Sequence, residues 1–301
     1  MKNIQGWINL YKPKNISSFN AIYQIKKKFS FIKIGHAGTL DPLAEGILPI
    51  ALGKATKLIS FINKDLKKYK FTITWGSQTS TDDSAGNIIY QSNRIPKLDD
   101  INKKIKNFTG LIKQTPPKVS AVKINGKRAY KLARENKDFD ILPKIVFVKN
   151  FSIIKHKINE TEFEIECGKG FYIRSLARDL ARDLKTYGHV SSLERQKVGK
   201  FLKETSILLD DLLKIRQTHK EINCIIPTIS MLDDILAYEI EEPNDIKNLS
   251  FGRSIIIDRN KLNSSLSITL DKKLFFLSNK GDIVSIGKLV GNLFIPNKIL
   301  I

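Results

Sequence analysis

An α+β fold in two parts is what this 301-residue sequence predicts. Three observations carry that prediction. Strand-type alternation occurs where Phe71, Ile73 and Trp75 interleave with Thr72 and Thr74, and where Phe163, Ile165 and Cys167 interleave with Glu162, Glu164 and Glu166. Helix-type spacing puts Leu98, Ile101, Ile105 and Phe108 on one face, and Leu176, Leu180 and Leu184 on another. From Ala237 onward, short apolar runs separated by turn residues suggest a small β-rich unit.

Taken in order, residues 7–11 read as a strand ending at Lys12-Pro13. Ser17 or Ser18 caps a helix running through Phe19, Ile22, Ile25 and Phe29. A turn around Asp41 follows, then a helix near residues 55–61. The Phe71 strand comes next, and Gly110 stops the Leu98 helix. Gln114-Thr115-Pro116-Pro117 is irregular, and Asn125-Gly126 is a hairpin-turn signal. Gly168 and Gly170 close the Phe163 strand, and Gly188 stops the Leu176 helix. Residues 208–215 look helical and 223–232 look like a connector. The C-terminal strands are expected at 254–257, 266–270, 274–277, 283–286 and 293–295.

Hydrophobic residues make up 42% of the chain, enough for a real core, so a disordered chain is excluded. No apolar run reaches membrane-spanning length; residues 47–52 are short and contain Pro49. The first residues lack an apolar signal region, which implies a cytoplasmic protein. Two cysteines, Cys167 and Cys224, with no CxxC speak against a disulfide framework or a zinc site. The net charge is +21, from 51 Lys and Arg against 30 Asp and Glu. A polyanionic partner is one reading; compositional drift in a chain rich in Lys, Ile and Asn is the other. The segments 20–70 and 103–134 hold basic residues that nearby acids do not balance, which favours nucleic acid.

The most informative stretch is 35–57, GHAGTLDPLAEGILPIALGKATK. Asp41 precedes Pro42 and sits among Gly35, Gly38 and Gly46, with His36 just upstream. Glycines permit sharp turns and close backbone approach, while Pro42 biases Asp41 away from helix. The apolar Leu43, Ile47, Leu48, Ile50 and Leu52 then anchor the downstream side. One carboxylate on a rigid, anchored turn suits presentation to a large substrate, although an Asp before Pro is also an ordinary turn former or cap. Gly53-Lys54 fails the nucleotide-loop pattern, since Leu48 stands at the upstream glycine position and Ala55 replaces Ser or Thr. Tyr69, flanked by Lys67, Lys68 and Lys70, suits a base-stacking platform or an ordinary strand tyrosine. Tyr172 and Arg174 alternate with Phe171 and Ile173 between strand and helix. Arg174 could keep a buried carboxylate ionised, or pair at the surface with Asp179 or Asp183. His36 has no partner histidines at metal-ligand spacing. Gly-x-Ser-x-Gly is absent.

These residues together resemble the bacterial tRNA pseudouridine synthases of the TruB type. Lys12-Pro13 with Ser17-Ser18 resembles the first motif of that family. Gly35-His36, Gly38-Thr39-Leu40-Asp41-Pro42, Ala44, Gly46, Leu48-Pro49, Gly53 and Ala55-Thr56-Lys57 resemble the second. Lys67 and Tyr69 follow, then Gly76, Thr79, Thr81, Asp83 and Gly86. Gln114, Pro116-Pro117, Ser120-Ala121, Lys123, Gly126, Tyr130 and Ala133-Arg134 look like the segment that grips the tRNA arm. Gly170, residues 172–176, Gly188-His189-Val190 and Leu193 resemble the closing motifs. Ala37, Asn136, Glu194, Gln196 and Lys197 depart from the family pattern.

The resemblance implies a pseudouridine synthase fold: a central mixed, mainly antiparallel sheet flanked by helices over residues 1–232, with a tRNA-gripping insertion at about 118–146. A β-rich, PUA-like domain over 233–301 would complete it. It implies isomerisation of the T-loop uridine at position 55 of tRNA, with no cofactor and no metal. Asp41 would be the catalytic carboxylate, attacking the sugar or assisting glycosidic cleavage at it. Tyr69 would stack on the uracil and help remove the C5 proton, and Arg174 would pair with Asp41. Tyr172 and Leu193 would line the uracil pocket, and His36 would support the flipped-out RNA. The expected partner is the T-arm of tRNA, bound by a monomer away from membranes. A non-catalytic RNA-binding protein or tRNA chaperone, and a guide-RNA type catalytic core, are the competing readings.

Overall fold

The computed structural model describes residues 4–31, 33–62, 66–135, 137–215, 224–231, 236–258, 274–280 and 282–301. The chain opens with β1 (Gly6–Lys12), α1 (Ser18–Phe29), β2 (Ile34–His36) and β3 (Glu45–Leu52). A 3-10 segment (Gly53–Leu58) leads into α2 (Ile59–Ile62), so the helix expected near 55–61 is mostly of the tighter kind. Then come β4 (Lys67–Trp75), the hairpin β5 (Ser77–Thr79) and β6 (Ile88–Gln91), α3 (Leu98–Ile105) and β7 (Gly110–Gln114). A small hairpin follows, β8 (Lys123–Ile124) and β9 (Lys127–Arg128), with Asn125-Gly126 at its turn, and then α4 (Ala129–Arg134). The long strands β10 (Lys144–His156) and β11 (Glu160–Cys167) precede α5 (Ile173–Asp183) and β12 (Gly188–Val198). The short β13 (Phe201–Leu202), β14 (Ile207–Leu208), α6 (Leu209–Lys214) and β15 (Ile225–Ile226) complete this part.

These strands form one 11-stranded mixed sheet with the central order β14-β1-β3-β12-β4-β11-β10-β7. Pairing is mainly antiparallel; β1 with β14 and β3 with β12 are parallel. Strand β4 alternates buried and half-buried residues along its whole length, as the Phe71 pattern predicted. One face carries Tyr69, Phe71, Ile73, Trp75, Phe163 and Ile165 into a core closed by α1, α3, α5 and α6. The opposite face of β1 and β3 is also covered. Trp7, Ile47 and Ala51 enter a second core with Phe201, Phe276, Ile283 and Ile286. Residues 46–52 are therefore apolar on both sides, which is why they read as an unbroken apolar stripe rather than an alternating strand.

The C-terminal part is a five-stranded sheet, β16 (Leu236–Glu239), β17 (Ile255–Ile256), β18 (Leu274–Asn279), β19 (Asp282–Val290) and β20 (Leu293–Ile299), with α7 (Pro243–Ser250) packed on it. The expected strand at 266–270 lies outside the described residues.

Some expectations need correction. Gly188 does not stop a helix: α5 ends at Asp183, and Lys185 supplies the left-handed residue (φ 57°). Gly188 instead opens β12, where an added Cβ would lie 3.0 Å from Ile73 and 3.1 Å from Trp75. Strands β10 and β12 carry many polar residues and register shifts, which hid their period. On α1 the buried face is Ser18, Ala21, Ile25 and Phe29, and Phe19 points outward, 76% exposed.

One contact locks the sheet beside the future site. Gly46 lies opposite Arg195 across the parallel β3–β12 pair. Its φ is +106°, and a Cβ there would stand 2.8 Å from the Arg195 nitrogen and closer still to its carbonyl oxygen. Gly46→Ala is expected to cost on the order of 2–6 kcal/mol, combining strained φ with backbone overlap. A drop in the urea unfolding midpoint would measure it.

Candidate active site

The Asp41 loop is shaped locally and then clamped from three directions. Ala44 N–H donates to the Asp41 carbonyl (3.1 Å), closing a turn with Pro42 at its second position, where a fixed φ fits. Ser17 caps α1 by accepting from Asn20 N–H (3.0 Å), which turns Ser18 inward. Ser18 Oγ donates to the Leu40 carbonyl (2.9 Å) and accepts from the Leu40 N–H (2.8 Å). Asn15 N–H donates to the Pro42 carbonyl (2.8 Å). Arg195, almost fully buried, donates from Nη2 to the Gly38 carbonyl (2.9 Å) and from Nε to the Ile47 carbonyl (2.7 Å). Lys12 is buried too and donates to the carbonyls of Pro13 (2.7 Å) and Ile16 (2.8 Å), bracing the turn that carries Asn15. Burial and the nearby Arg195 charge lower the Lys12 amine to about 8.

Arg174 meets this loop from the first turn of α5. Its Nε lies 2.9 Å from Asp41 Oδ2 and 3.6 Å from Asp83 Oδ2. Its Nη1 donates to the Thr81 carbonyl (3.0 Å) and Nη2 to the Val119 carbonyl (3.0 Å). The guanidinium side chain is 5% exposed, whereas Asp41 is 37% exposed. A buried cation is tolerable only when its donors are answered, and here two carboxylates and two carbonyls answer them. Asp83 is held in turn by the Thr81 hydroxyl (2.6 Å) and the Ala85 N–H (3.0 Å). One helical turn on, Arg178 pairs with Asp82 (3.1 Å) and donates to the Thr115 carbonyl (2.8 Å). Burial pushes the Asp82 carboxyl up, with Arg178 opposing.

A cleft of about 330 Å³ opens over this arrangement. Asp41, Tyr69, Tyr172, Arg174 and Leu193 all line it, so five of the six candidate residues converge. Lys67, Lys169 and Arg195 add positive charge to its lining. Tyr69 projects from β4 beside Arg195 and is 8% exposed. Burial pushes its phenol up, against the pull of Arg195, so it is protonated at neutral pH. Tyr172 is fixed through its backbone: Gln114 accepts from its N–H (2.9 Å) and donates to its carbonyl (3.1 Å). Its phenol is likewise raised by burial. His36 does not line the cleft. It sits on β2 opposite Ile50, with a buried Nδ1 that has no hydrogen-bond partner among the described residues. Burial first, then Arg195, lowers its pKa.

The profile described as "TruB family pseudouridylate synthase (N terminal domain)" matches residues 26–173. The chain is similar to the tRNA pseudouridine synthase B of Bartonella henselae, 37% identical over 312 residues, covering 98% of this chain and 96% of that protein. It is also similar to the protein of that name from Wolbachia pipientis subsp. Culex pipiens, 48% identical over 224 residues, covering 74% of this chain and 64% of that one.

This chain belongs to the TruB family of pseudouridylate synthases.

Among solved structures, it resembles one described as a Cbf5-Nop10-Gar1 complex, with TM-score 0.72 and 24% identity, covering 98% of this chain and 85% of that one. That likeness extends the family fold over both sheets, the C-terminal one being PUA-like. Within the family frame, the sequence motifs gather around one cleft, yet the parts played by two side chains that line it, Arg195 and Lys67, and by Asp83 behind Arg174 were not legible beforehand. Arg195 lies on β12, whose strand pattern was hidden. Asp83 belonged to a recognised motif, but nothing in its spacing tied it to Arg174. Lys67 was matched to the family beside Tyr69 but was given no role at the cleft.

Two outcomes are expected from this geometry. Ser18→Ala leaves both the Leu40 N–H and carbonyl unanswered, and should cost about 1–3 kcal/mol in a denaturant titration. For His36, the folded pKa lies below the unfolded value of 6.5. As pH falls from 6.5 toward the folded value, the unfolded chain takes up a proton that the folded one refuses, so stability declines. His36→Gln should flatten that decline when urea midpoints are compared between pH 7.5 and 5.5.

Proposed function

We propose that this TruB-family enzyme converts uridine at position 55, in the T-loop of tRNA, to pseudouridine. The observation that carries the reading is the Asp41 carboxylate, held by the buried Arg174 and exposed to a cleft walled by Tyr69, Tyr172 and Leu193. The cleft volume falls in the range of small-ligand sites. A target nucleotide must leave its loop to reach such a site, at a cost of a few kcal/mol. Stacking on Tyr69 would return about 1–3 kcal/mol, and Lys and Arg contacts to phosphates would supply more.

Arg174 pairs with Asp41 at 2.9 Å and aims it, so the carboxylate faces the sugar and supports cleavage of the C1′–N1 bond, as nucleophile or as counter-charge. The freed uracil turns between the apolar walls, and C5 bonds to C1′. The C5 proton leaves and N1 gains one, so no atom enters or leaves overall and no oxidant or nucleotide is consumed. The protonated state of the Tyr69 phenol supports stacking and hydrogen-bond donation. Its proposed help with the C5 proton would require bound RNA to change that state. His36 would act on the RNA outside the uracil cleft.

Residues 1–232 would form the catalytic domain, with the gripping insertion at about 118–146 and the PUA-like domain at 233–301. The enzyme would act as a cytoplasmic monomer on the T-arm.

Unmodified tRNA transcript incubated with the protein should gain pseudouridine, mapped chemically to position 55. Asp41→Asn should lose at least about 10²–10³-fold in rate while its Kd for tRNA stays within about threefold. An active Asp41→Asn would leave only the RNA-binding reading. Affinity should fall with salt at a log–log slope of about −0.7 to −0.9 per phosphate contacted.

A further inference from the structure

We propose that the outer face of α1 is a substrate RNA platform, where Phe19 and Tyr23 stack on bases and Lys26 and Lys27 contact phosphates. The inference rests on the reading that the substrate is RNA, and assigns a second contact surface beyond the uracil cleft.

Phe19 is 76% exposed and Tyr23 57% exposed. They stand four residues apart and so share one side of the helix. The helix is anchored without them, through Ser18, Ala21, Ile25 and Phe29. Neither ring therefore contributes to the core that α1 closes. Single exposed apolar residues need no explanation, but two aromatics in register with lysines form a pattern that suits nucleic acid. Lys26 and Lys27 continue the stripe, both exposed and without an ion pair among the described residues. The helix contains no acidic residue, which gives its face the charge that complements phosphate.

Position supplies the second argument. The N-terminus of α1 is bonded to the Asp41 loop: Ser18 Oγ holds both backbone groups of Leu40, and Leu40 and Asp41 line the cleft. Phe19, the next residue, therefore lies at the edge of the loop that presents the carboxylate. From there the stripe runs outward about 11 Å along the axis to Lys26. An RNA whose target nucleotide enters the cleft has flanking nucleotides within reach of that stripe.

The test uses the full chain, unmodified tRNA transcript and two double variants, Phe19→Ala with Tyr23→Ala, and Lys26→Gln with Lys27→Gln. The aromatic pair should raise Kd about tenfold or more, from 1–3 kcal/mol per stacked base, with the salt slope unchanged. At saturating enzyme its single-turnover rate should match wild type. The lysine pair should reduce the slope by about 1.4, at 0.7 per single-strand phosphate. Melting temperatures should stay at the wild-type value, as expected for exposed side chains. Unchanged Kd and slope in both variants, with an active wild type, would overturn the platform. So would a wild-type dimer in sedimentation that the aromatic variant dissolves without altering Kd, since the face would then bind a second copy. A wild type that binds tRNA but forms no pseudouridine would defeat the enzymatic reading alone, and weaker binding by the variants would still support the platform.

Discussion

Arg174 is nearly sealed from water, and its guanidinium must be answered in place. Two carboxylates and two backbone carbonyls converge on it, drawn from the Asp41 turn, the segment after β5 and the segment after β7. Removing one partner of such a group leaves a buried charge uncompensated, which is far more costly than losing a surface pair. The same requirement that stabilises this junction orients Asp41. Stability and chemistry thus share one set of contacts, and the cleft opens where three separate segments must meet.

The sheet makes that meeting possible. Strand β12 lies between β3 and β4, so Arg195 reaches under the Asp41 loop while Leu193 and Tyr69 face the cleft. Its parallel approach to β3 is so close that only a glycine fits at position 46. Both faces of β1 and β3 are packed, one by the helices and the other by the C-terminal sheet. The loop is consequently attached to the most deeply buried part of the molecule, and such a support suits a group that must hold its geometry.

The excess positive charge is unevenly placed. On the outer face of the sheet, Lys68, Lys70 and Lys149 pair with Glu164, Glu162 and Glu166 at 2.9–3.1 Å. These exposed pairs contribute little stability, but they neutralise that face locally. On α1, by contrast, the exposed Lys26 and Lys27 have no ion pair among the described residues. Net charge alone therefore understates how strongly the field favours one side.

The sequence alone determined the elements whose period is unambiguous. The alternation in β4 and β11, the α5 stripe and the Asn125-Gly126 turn arise from neighbours along the chain, and each is present. The turn chemistry of Asp41-Pro42 was equally local. The resemblance to the family then put Asp41, Tyr69, Tyr172, Arg174 and Leu193 at one site, and the fold brings them together. Tertiary structure alone decided what lies between distant segments. It showed that Arg195 supports the loop, that Asp83 shares Arg174, that Phe19 faces outward and that His36 stands outside the cleft. A strand buried on both faces, a bulged polar strand and an ion pair between remote segments leave no local period. Their stabilisation comes from groups that become neighbours only after folding.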